Sequence, residues 1–535
     1  MRDTFADTPT AGFDRRSFLR IVGALGAATA ITAGLSACGS DADGGGAAGG
    51  TREIEATLAF TLSGGFDPMN ASSAVATAVN QHIFEALIDL DPVTREPYLA
   101  LAAAQPKASA DGLTWTVALR EGAVFSDGSP VTAEDVAWSF TRALDPANKA
   151  LMAGFISFID RVKAKDAKTV EFELKAPFSL FAQRIAVIKI VPKAKTGDAA
   201  AAKAFDTAPI GSGPFTLTSA DATSGVVMAA NPAYKGSRPA KADKITLHTS
   251  PDNTARLNDL RSGQAQAIEA VPYLDAGTLG DEFKVDEKQA FNQLFLMFNC
   301  SAAPFDDKRV RQALHYAIDT DKVIATALQG YGVAATSYLD ESNPGYQKAA
   351  TSYGHDPEKA KALLAEAGVP NLSFELVTTD TGFVKDSAPV IIDAWKQIGV
   401  TATLNTNPSS AVYGTLVPSD DFRVLAASGD PSVFGPDADL LLRWFYYGET
   451  WPVARARWTD AGAKKCADLL DEAAESTDQK QKDTWKKALD VIAEEVPLYP
   501  VFHTKVITAS DPDGLTGFQG ASTTGLYFLD VARKG

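Results

Sequence analysis

The sequence has few of the residues on which catalysis, metal binding and disulfide frameworks depend. Its 535 residues include three cysteines and five histidines. There is no Cys-x-x-Cys pair and no histidine at metal-finger spacing from a cysteine. There is also no His-Glu-x-x-His, no Gly-x-Ser-x-Gly and no phosphate loop ending in Gly-Lys-Ser/Thr. We therefore predict no enzyme, no metal site and no cofactor.

Basic residues are also in the minority. The chain has 50 Lys and Arg against 66 Asp and Glu, which gives a formal net charge of −16. Nucleic acids and anionic lipid surfaces bind basic patches, so an acidic chain disfavours both as partners. The acidity suits a cationic or zwitterionic small ligand. It equally suits a protein that carries charge for solubility.

Long apolar runs are nearly absent. The uncharged stretch 21–35 is shorter than the roughly 20 residues that a membrane-spanning helix needs. Arg15 and Arg16 precede this stretch and Leu-Ser-Ala-Cys38 ends it, which is the layout of a cleaved export signal. The paired arginines resemble a twin-arginine signal, and the last four residues resemble a lipobox, after which the cysteine is acylated. We predict an export signal over 1–37 and an extracytoplasmic protein anchored by lipid at Cys38; the alternative is an ordinary signal peptide with a chance cysteine.

The segment after the lipobox is rich in glycine and small residues. Residues 38–51 contain no side chain able to anchor a core, and a flexible tether of this length spans about 20 Å. The remaining chain is long enough for two or three lobes. We expect Cys300 and Cys466 to be isolated buried thiols, with a disulfide between them as the alternative in an oxidising compartment.

Helix-like and strand-like stretches alternate along the rest of the chain, which predicts an α/β fold. Thr132 and the acidic residues after it are typical of a helix N-terminus. Leu294–Asn299 is a nearly continuous apolar run that predicts a strand buried on both faces. Periodic apolar residues predict one helix over Asp306–Leu328.

Short motifs also run in a fixed order along most of the chain after the tether. They are Phe66–Pro68, His82–Leu87, Asp111–Trp115, Leu119–Gly122, Phe125–Gly128, Val131–Val136, Gly211–Phe215, Asn231–Gly236, Phe298–Asn299, Pro304–Asp306, Arg309–Ala313, Ala317–Asp319, Asp356–Ala360 and Gly399–Val400. In order and spacing they resemble the solute-binding proteins of peptide and nickel ABC transporters, extracellular family 5.

The resemblance implies a two-lobed fold of the type II periplasmic-binding-protein class, with two hinge crossings near Ala290 and Pro500. Lobe I would comprise 52–289 plus 500–535, and lobe II 290–499. A ligand that touches both lobes shifts the population towards the closed form. The implied protein is a monomer that captures a short peptide or similar small solute and delivers it to an ABC permease. The alternatives are a peptide-sensing receptor without transport and an exported hydrolase on the same fold.

The same resemblance implies a ligand site in lobe II. Asp430 matches the carboxylate that pairs with a peptide's α-amine, and Ala427 and Ser428 would present backbone edges to the ligand. Asp437 or Asp439 is an alternative carboxylate. Asp430 precedes a proline, so it is equally expected as a turn cap.

Further site residues are expected around this loop. Trp444 suits an aromatic cleft wall, and Arg443 suits a ligand carboxylate; the alternative is that this aromatic run is a packed lobe surface. Family position adds Phe66 and Asn299. The absence of histidine near the loop disfavours a nickel chelate.

Overall fold

The computed structural model describes residues 52–222, 224–419 and 421–534. The predicted export signal with Arg15 and Arg16, the lipidation site Cys38 and the tether 38–51 lie outside the described residues. Within the described ranges, no helix combines the length and the apolarity that a membrane span requires.

The strands follow the alternation of apolar and polar residues. They are β1 Glu53–Leu58, β2 Ile88–Leu90, β3 Pro97–Leu99, β4 Lys107–Ala108, β5 Thr114–Ala118, β6 Ile159–Ala164, β7 Thr169–Leu174, β8 Phe215–Asp221, β9 Gly225–Ala230, β10 Lys244–Thr249, β11 Ala267–Ile268, β12 Lys284–Phe298, β13 Gly332–Ala334, β14 Ser373–Thr379, β15 Thr401–Asn407, β16 Val424–Gly429, β17 Leu498–Ser510, β18 Leu515–Thr516 and β19 Ala532–Arg533.

The α-helices lie between the strands and cover the sheets. They are α1 Ala74–Ile83, α2 Ala133–Leu144, α3 Phe181–Arg184, α4 Lys193–Thr196, α5 Ala199–Thr207, α6 Asn253–Arg261, α7 Tyr273–Ala276, α8 Lys308–Tyr316, α9 Thr320–Ala327, α10 Pro357–Glu366, α11 Gly382–Lys396, α12 Ser409–Ala411, α13 Ala438–Tyr446, α14 Ala461–Ala474 and α15 Asp478–Glu495. Short 3-10 turns include Leu151–Ile156 and Pro431–Val433, and π-helical turns cover Val412–Leu416 and Glu449–Arg455.

One large sheet runs through the molecule in the order β15-β14-β16-β12-β17-β11-β1-β10-β9-β8, with β13 also paired to β17. Its two central strands, β12 and β17, are long and antiparallel. They pair from Lys284 opposite Ser510 to Met297 opposite Leu498. Because β14–β16 lie on one side of this pair and β1 and β8–β11 on the other, the chain crosses between the two halves of the sheet twice.

The ladder between the two crossing strands is irregular in its middle. The register shifts between Gln289 and Gln293, and again between Leu294 and Phe295. Such irregularities bend a strand locally and leave residues outside the regular pairing. Gln293 lies next to this irregularity.

A smaller sheet, β4-β5-β7-β6, packs beside α2 in the first half of the molecule. The predicted start of α2 is confirmed as a capping box. The Asp135 N–H donates to the Thr132 hydroxyl at 3.2 Å, and the Thr132 N–H donates to the Asp135 carboxylate at 3.0 Å. Val136 and Phe140 on this helix are fully buried in the core.

The prediction of one helix over Asp306–Leu328 is wrong. The chain forms α8 and α9 with a break at Ala317–Asp319. The break arises because the Asp319 carboxylate accepts a hydrogen bond from the Lys322 N–H at 3.0 Å, which starts a new helix. The two thiols Cys300 and Cys466 are free; Cys466 is buried and Cys300 is half-buried.

The largest hydrophobic cluster joins the two halves of the molecule. It contains Phe140 and Phe172 from the first half and Phe295, Phe445 and Trp458 from the second. The described residues form one compact unit. The two halves of the molecule are therefore in contact in this structure.

Candidate functional site

The loop after β16 lies at the junction of the two halves. β16 pairs with β12 up to Gly429, but its pairing with β14 ends at Ala426. Ala427 is buried, and Ser428 is half-buried with its hydroxyl 3.5 Å from that of Thr381. The edge from Ala427 to Gly429 therefore extends beyond its pairing with β14, as an edge that receives an extended ligand would.

Asp430 follows this strand and uses only one of its two carboxylate oxygens in the loop. Oδ1 accepts hydrogen bonds from the backbone N–H of Ser432, at 3.1 Å, and from the Ser432 hydroxyl. Oδ2 is buried and has no hydrogen-bond partner among the described residues. Burial raises the pKa of Asp430 to about 6, against the lowering effect of the Ser432 hydrogen bonds and the Arg95 charge. The hydrogen bonds of the turn thus occupy one oxygen of the side chain and leave the other without a partner among the described residues.

Gln293 is a second unsatisfied group, and sequence reasoning missed it. It lies on β12 directly opposite Gly429, the residue before Asp430. Its side chain is fully buried, and neither Oε1 nor Nε2 has a partner within the described chain. Unpaired buried amides are rare because each one loses its hydrogen bonds to water. The available signal was a glutamine directly before the apolar run Leu294–Phe298.

The first half of the molecule faces this loop through helix α1. A cavity of about 50 Å³ lies between Asn80 and Gln81 on one side and Val433 and Phe434 on the other. Thr77 and Asn80 line the same junction, and Thr77 Oγ1 and Asn80 Oδ1 are buried without a partner in the described part of the chain. Both halves of the molecule therefore contribute buried polar atoms to this junction that lack a hydrogen-bond partner among the described residues.

Arg95 connects the two halves near Asp430. It lies in the turn between β2 and β3 and donates from Nη2 to the Ser432 carbonyl oxygen. Its charge favours the ionised form of Asp430. The loop that carries Asp430 is thus held against the first half of the molecule.

The alternative carboxylates are engaged in a buried ion-pair network. Arg184 donates from Nη2 to Asp437, at 2.7 Å, and to Asp439, at 2.9 Å. Arg443 donates from Nε to both oxygens of Asp439 at 3.0 Å and from Nη2 to the Leu470 carbonyl oxygen and Asp471. Asp437 also caps α13 through the Leu440 N–H at 2.8 Å. These groups stabilise the contact between the halves, and of the three carboxylates Asp430 is the one with a buried oxygen that lacks a partner among the described residues.

Trp444 belongs to the aromatic part of the same contact. Its ring stacks on Phe155 with a centroid distance of 5.5 Å and lies 5.4 Å from Phe434. Phe155 comes from the first half and the other two rings from the second. Trp444 therefore packs one half of the molecule against the other, next to the cavity that Phe434 lines.

Asn299 does not lie at this junction, and Phe66 reaches it only through its carbonyl oxygen, which accepts a hydrogen bond from the Asn80 amide at 3.1 Å. Phe66 is 3 % exposed within the core around β1 and β10. The Asn299 amide donates to the Phe422 carbonyl oxygen at 2.9 Å, and its side-chain oxygen accepts from Ser301. Both side chains are used in packing and turn formation.

The described residues contain no group of three or more His, Cys, Asp or Glu side chains placed to hold a metal ion. His82 is buried in the first half of the molecule. Its Nδ1–H donates to the Ala78 carbonyl oxygen, and its Nε2 accepts from the Phe528 N–H. Burial lowers the pKa of His82 to about 4, so it is neutral at physiological pH.

The architecture, with two sheet halves joined by two crossing strands, is that of the type II periplasmic binding proteins. A dipeptide-binding protein from Pseudoalteromonas sp. SM9913, solved in complex with Met-Leu, superposes with a TM-score of 0.80 at 21 % identity, covering 90 % of this chain and 100 % of that one. The agropinic acid complex of AgaA from A. tumefacien R10 superposes with a TM-score of 0.76 at 27 % identity, covering 89 % and 96 %.

The chain belongs to the bacterial extracellular solute-binding proteins, family 5, whose model matches residues 96–452. The glutathione-binding protein GsiB of Escherichia coli O1:K1 / APEC is 30 % identical over 481 residues, which cover 87 % of this chain and 91 % of that protein. The expected family and fold class are confirmed. The protein is a solute-binding protein of the kind that serves ABC transporters, and its relatives are binding proteins rather than enzymes.

Proposed function

We propose that the protein captures a short peptide between two lobes and delivers it to an ABC permease as a monomer. Lobe I comprises 52–289 plus 500–535, and lobe II comprises 290–499. The two named relatives whose ligands are glutathione and Met-Leu both bind short peptides. The irregular ladder beside Gln293 supports a hinge at this place, because a strand with a shifted register bends more readily than a regular one.

The observation that carries the proposal is the buried Oδ2 of Asp430, which has no partner among the described residues, together with the Gln293 amide, which also lacks one and lies opposite the neighbouring residue Gly429. A peptide supplies what this pair lacks. Its α-ammonium donates to the carboxylate, and its amide groups donate to and accept from the glutamine. An ammonium also restores the ionised form of the carboxylate, which burial disfavours. Ala427 and Ser428 would add backbone hydrogen bonds along the free edge of β16.

The experiment is calorimetric titration of short peptides into wild-type protein and the Asp430→Asn variant. Leaving the buried ammonium without its charged partner costs about 3–5 kcal/mol, so affinity should fall about a hundredfold or more. Asp145→Asn is a matched control, because Asp145 also precedes a proline and caps a 3-10 turn but is exposed. An Asp430→Asn protein that binds peptides as tightly as wild type would refute the role of Asp430.

We also propose that the mature protein starts at Cys38 and is held at the outer face of the membrane by its lipid alone. The lipobox-like residues before Cys38 and the paired Arg15 and Arg16 support this. Intact-mass analysis of the membrane-extracted protein should show a chain that starts at Cys38 and carries acyl groups. A Cys38→Ala variant should leave the membrane fraction; retention of that variant at wild-type levels would contradict the anchor.

A further inference from the structure

A second, larger cavity opens beside the crossing strands. Its volume is about 300 Å³, at the lower end of the range for small-molecule sites. Its wall consists of Gln289, Val333, Ala334, Thr336, Leu339, Asp340, Glu341, Ser342 and His503. No lysine or arginine belongs to this wall, whereas two carboxylates do.

One buried polar group in the cavity wall, His503, is an acceptor without a donor among the described residues. His503 is 2 % exposed, and its Nδ1–H donates to the Phe291 carbonyl oxygen at 2.9 Å. Nε2 therefore carries the lone pair, and it has no partner among the described residues. Burial lowers the pKa of His503, which favours the neutral ring, whose Nε2 has no proton to donate.

The groups around His503 are also electronegative. Asp340 and the backbone carbonyls of Ser337 and Tyr338 face the ring and favour a positive charge there. Asp340 is 6 % exposed, and its Oδ1 accepts from the N–H of Ser342 at 3.0 Å and from its hydroxyl. At the rim, Glu341 accepts from the Thr336 hydroxyl at 3.2 Å. A guest that supplies several N–H donors and a positive charge fits this wall.

The cavity lies next to the Asp430 loop. The charge of Asp340 is among the causes that raise the pKa of Asp430. The Asn343 amide donates to the Pro436 carbonyl oxygen at 3.0 Å, which ties the segment after Asp340 to the segment after Asp430. When a peptide is bound at Asp430, one of its own side chains can therefore reach the cavity.

We propose that this cavity is a side-chain subsite for an ammonium or guanidinium group of the bound peptide, so that the protein prefers peptides with a lysine-like or arginine-like residue. The inference rests on the proposed peptide function. Asp340 is the counter-charge of the subsite, and His503 Nε2 and the carbonyl oxygens accept the remaining donors.

The test compares matched tripeptides by calorimetry: Lys-Ala-Ala, Ala-Lys-Ala and Ala-Ala-Lys against the same peptides with norleucine in place of lysine. Norleucine keeps an unbranched apolar side chain and removes the ammonium. We expect at least one lysine peptide to bind wild-type protein about tenfold more tightly than its norleucine partner, the size of one charge-assisted hydrogen bond. In Asp340→Asn this preference should disappear, while the norleucine peptide keeps its affinity within about twofold.

The matched control is Asp127→Asn, because Asp127 makes the same turn with Ser129 on the surface; it should keep the preference. Equal affinities for every lysine and norleucine pair in wild-type protein would overturn the subsite and leave the peptide function standing, and this comparison needs no variant to fold. A preference that survives in Asp340→Asn would also overturn it. Failure of all six peptides to bind would overturn both the subsite and the peptide function.

Discussion

Asp127 and Asp430 form the same local structure in two different parts of the molecule. Each accepts hydrogen bonds at Oδ1 from the backbone N–H and the hydroxyl of the serine two residues later. At Asp127 the side chain is 28 % exposed, and the Ser129 hydrogen bond lowers its pKa. At Asp430 burial outweighs the same bonds and raises the pKa to about 6.

The comparison shows that the turn does not determine the chemistry of the carboxylate. Two hydrogen bonds from serine stabilise the ionised form in both places. The difference is the second oxygen, because Oδ2 of Asp127 lies 3.7 Å from the Lys195 ammonium at the surface, whereas Oδ2 of Asp430 is buried and has no partner among the described residues. A buried carboxylate that lacks a partner is suited to bind a cation, whereas its surface counterpart already has one.

The largest expected effect that distinguishes Asp430 from Asp127 is on the pH dependence of the free energy of unfolding. Between the ordinary value of 3.8 and about 6, the folded protein holds a proton on Asp430 that the unfolded chain has released. The free energy of unfolding therefore falls as pH rises through this window, by about 3 kcal/mol. Asp430→Asn removes this loss, so ligand-free variant protein should be more stable than wild type above pH 6 and equal to it below pH 4.

Asp127→Asn should change stability in the opposite direction. The pKa of Asp127 is lowered, so its ionised form contributes stability above the unfolded pKa and loses it as pH falls. The variant should be slightly less stable than wild type at neutral pH. Urea unfolding of both variants from pH 4 to pH 8, on protein refolded to remove bound ligand, measures both signs. Effects of the same sign in both variants would show that the turn, rather than burial, sets the pKa of Asp430.

The sequence predicted most of the fold and part of the site. The α/β alternation, the Thr132 cap and the family motifs are local signals, and local signals survive in a single sequence. The break at Ala317–Asp319 was missed because apolar periodicity continues across it. The burial of Asp430 could not be read from its neighbours, since Asp127-Gly-Ser and Asp430-Pro-Ser form the same turn. What distinguishes them is contact with residues hundreds of positions away, such as Arg95.

The unsatisfied side chain of Gln293 also could not be predicted from its sequence neighbours. A comparison of Gln293 with Gln481 tests this point. Gln481 is another buried glutamine, but its Nε2 donates to the Ser179 hydroxyl and to the Ala473 and Ser476 carbonyl oxygens at 2.9 to 3.0 Å. Gln481 lies within the helix α15, and Gln293 lies in β12 at a shift of the strand register. Their buried side chains differ in whether the described residues provide hydrogen-bond partners. An unsatisfied buried amide destabilises by about 1–3 kcal/mol, and a satisfied one stabilises by about 0.5–1.5 kcal/mol.

Substitution of these two glutamines by methionine is predicted to have a smaller effect on stability. Gln293→Met keeps the length of the side chain and removes its polar atoms, so ligand-free protein should gain about 1–2 kcal/mol in free energy of unfolding. Its peptide affinity should fall about tenfold, because the ligand loses its amide partner. Gln481→Met should lose stability by about 1 kcal/mol and keep its peptide affinity. Urea unfolding and calorimetric titration of the two variants measure both quantities, and a Gln293→Met protein that loses stability would mean that the amide already has a partner in the ligand-free fold.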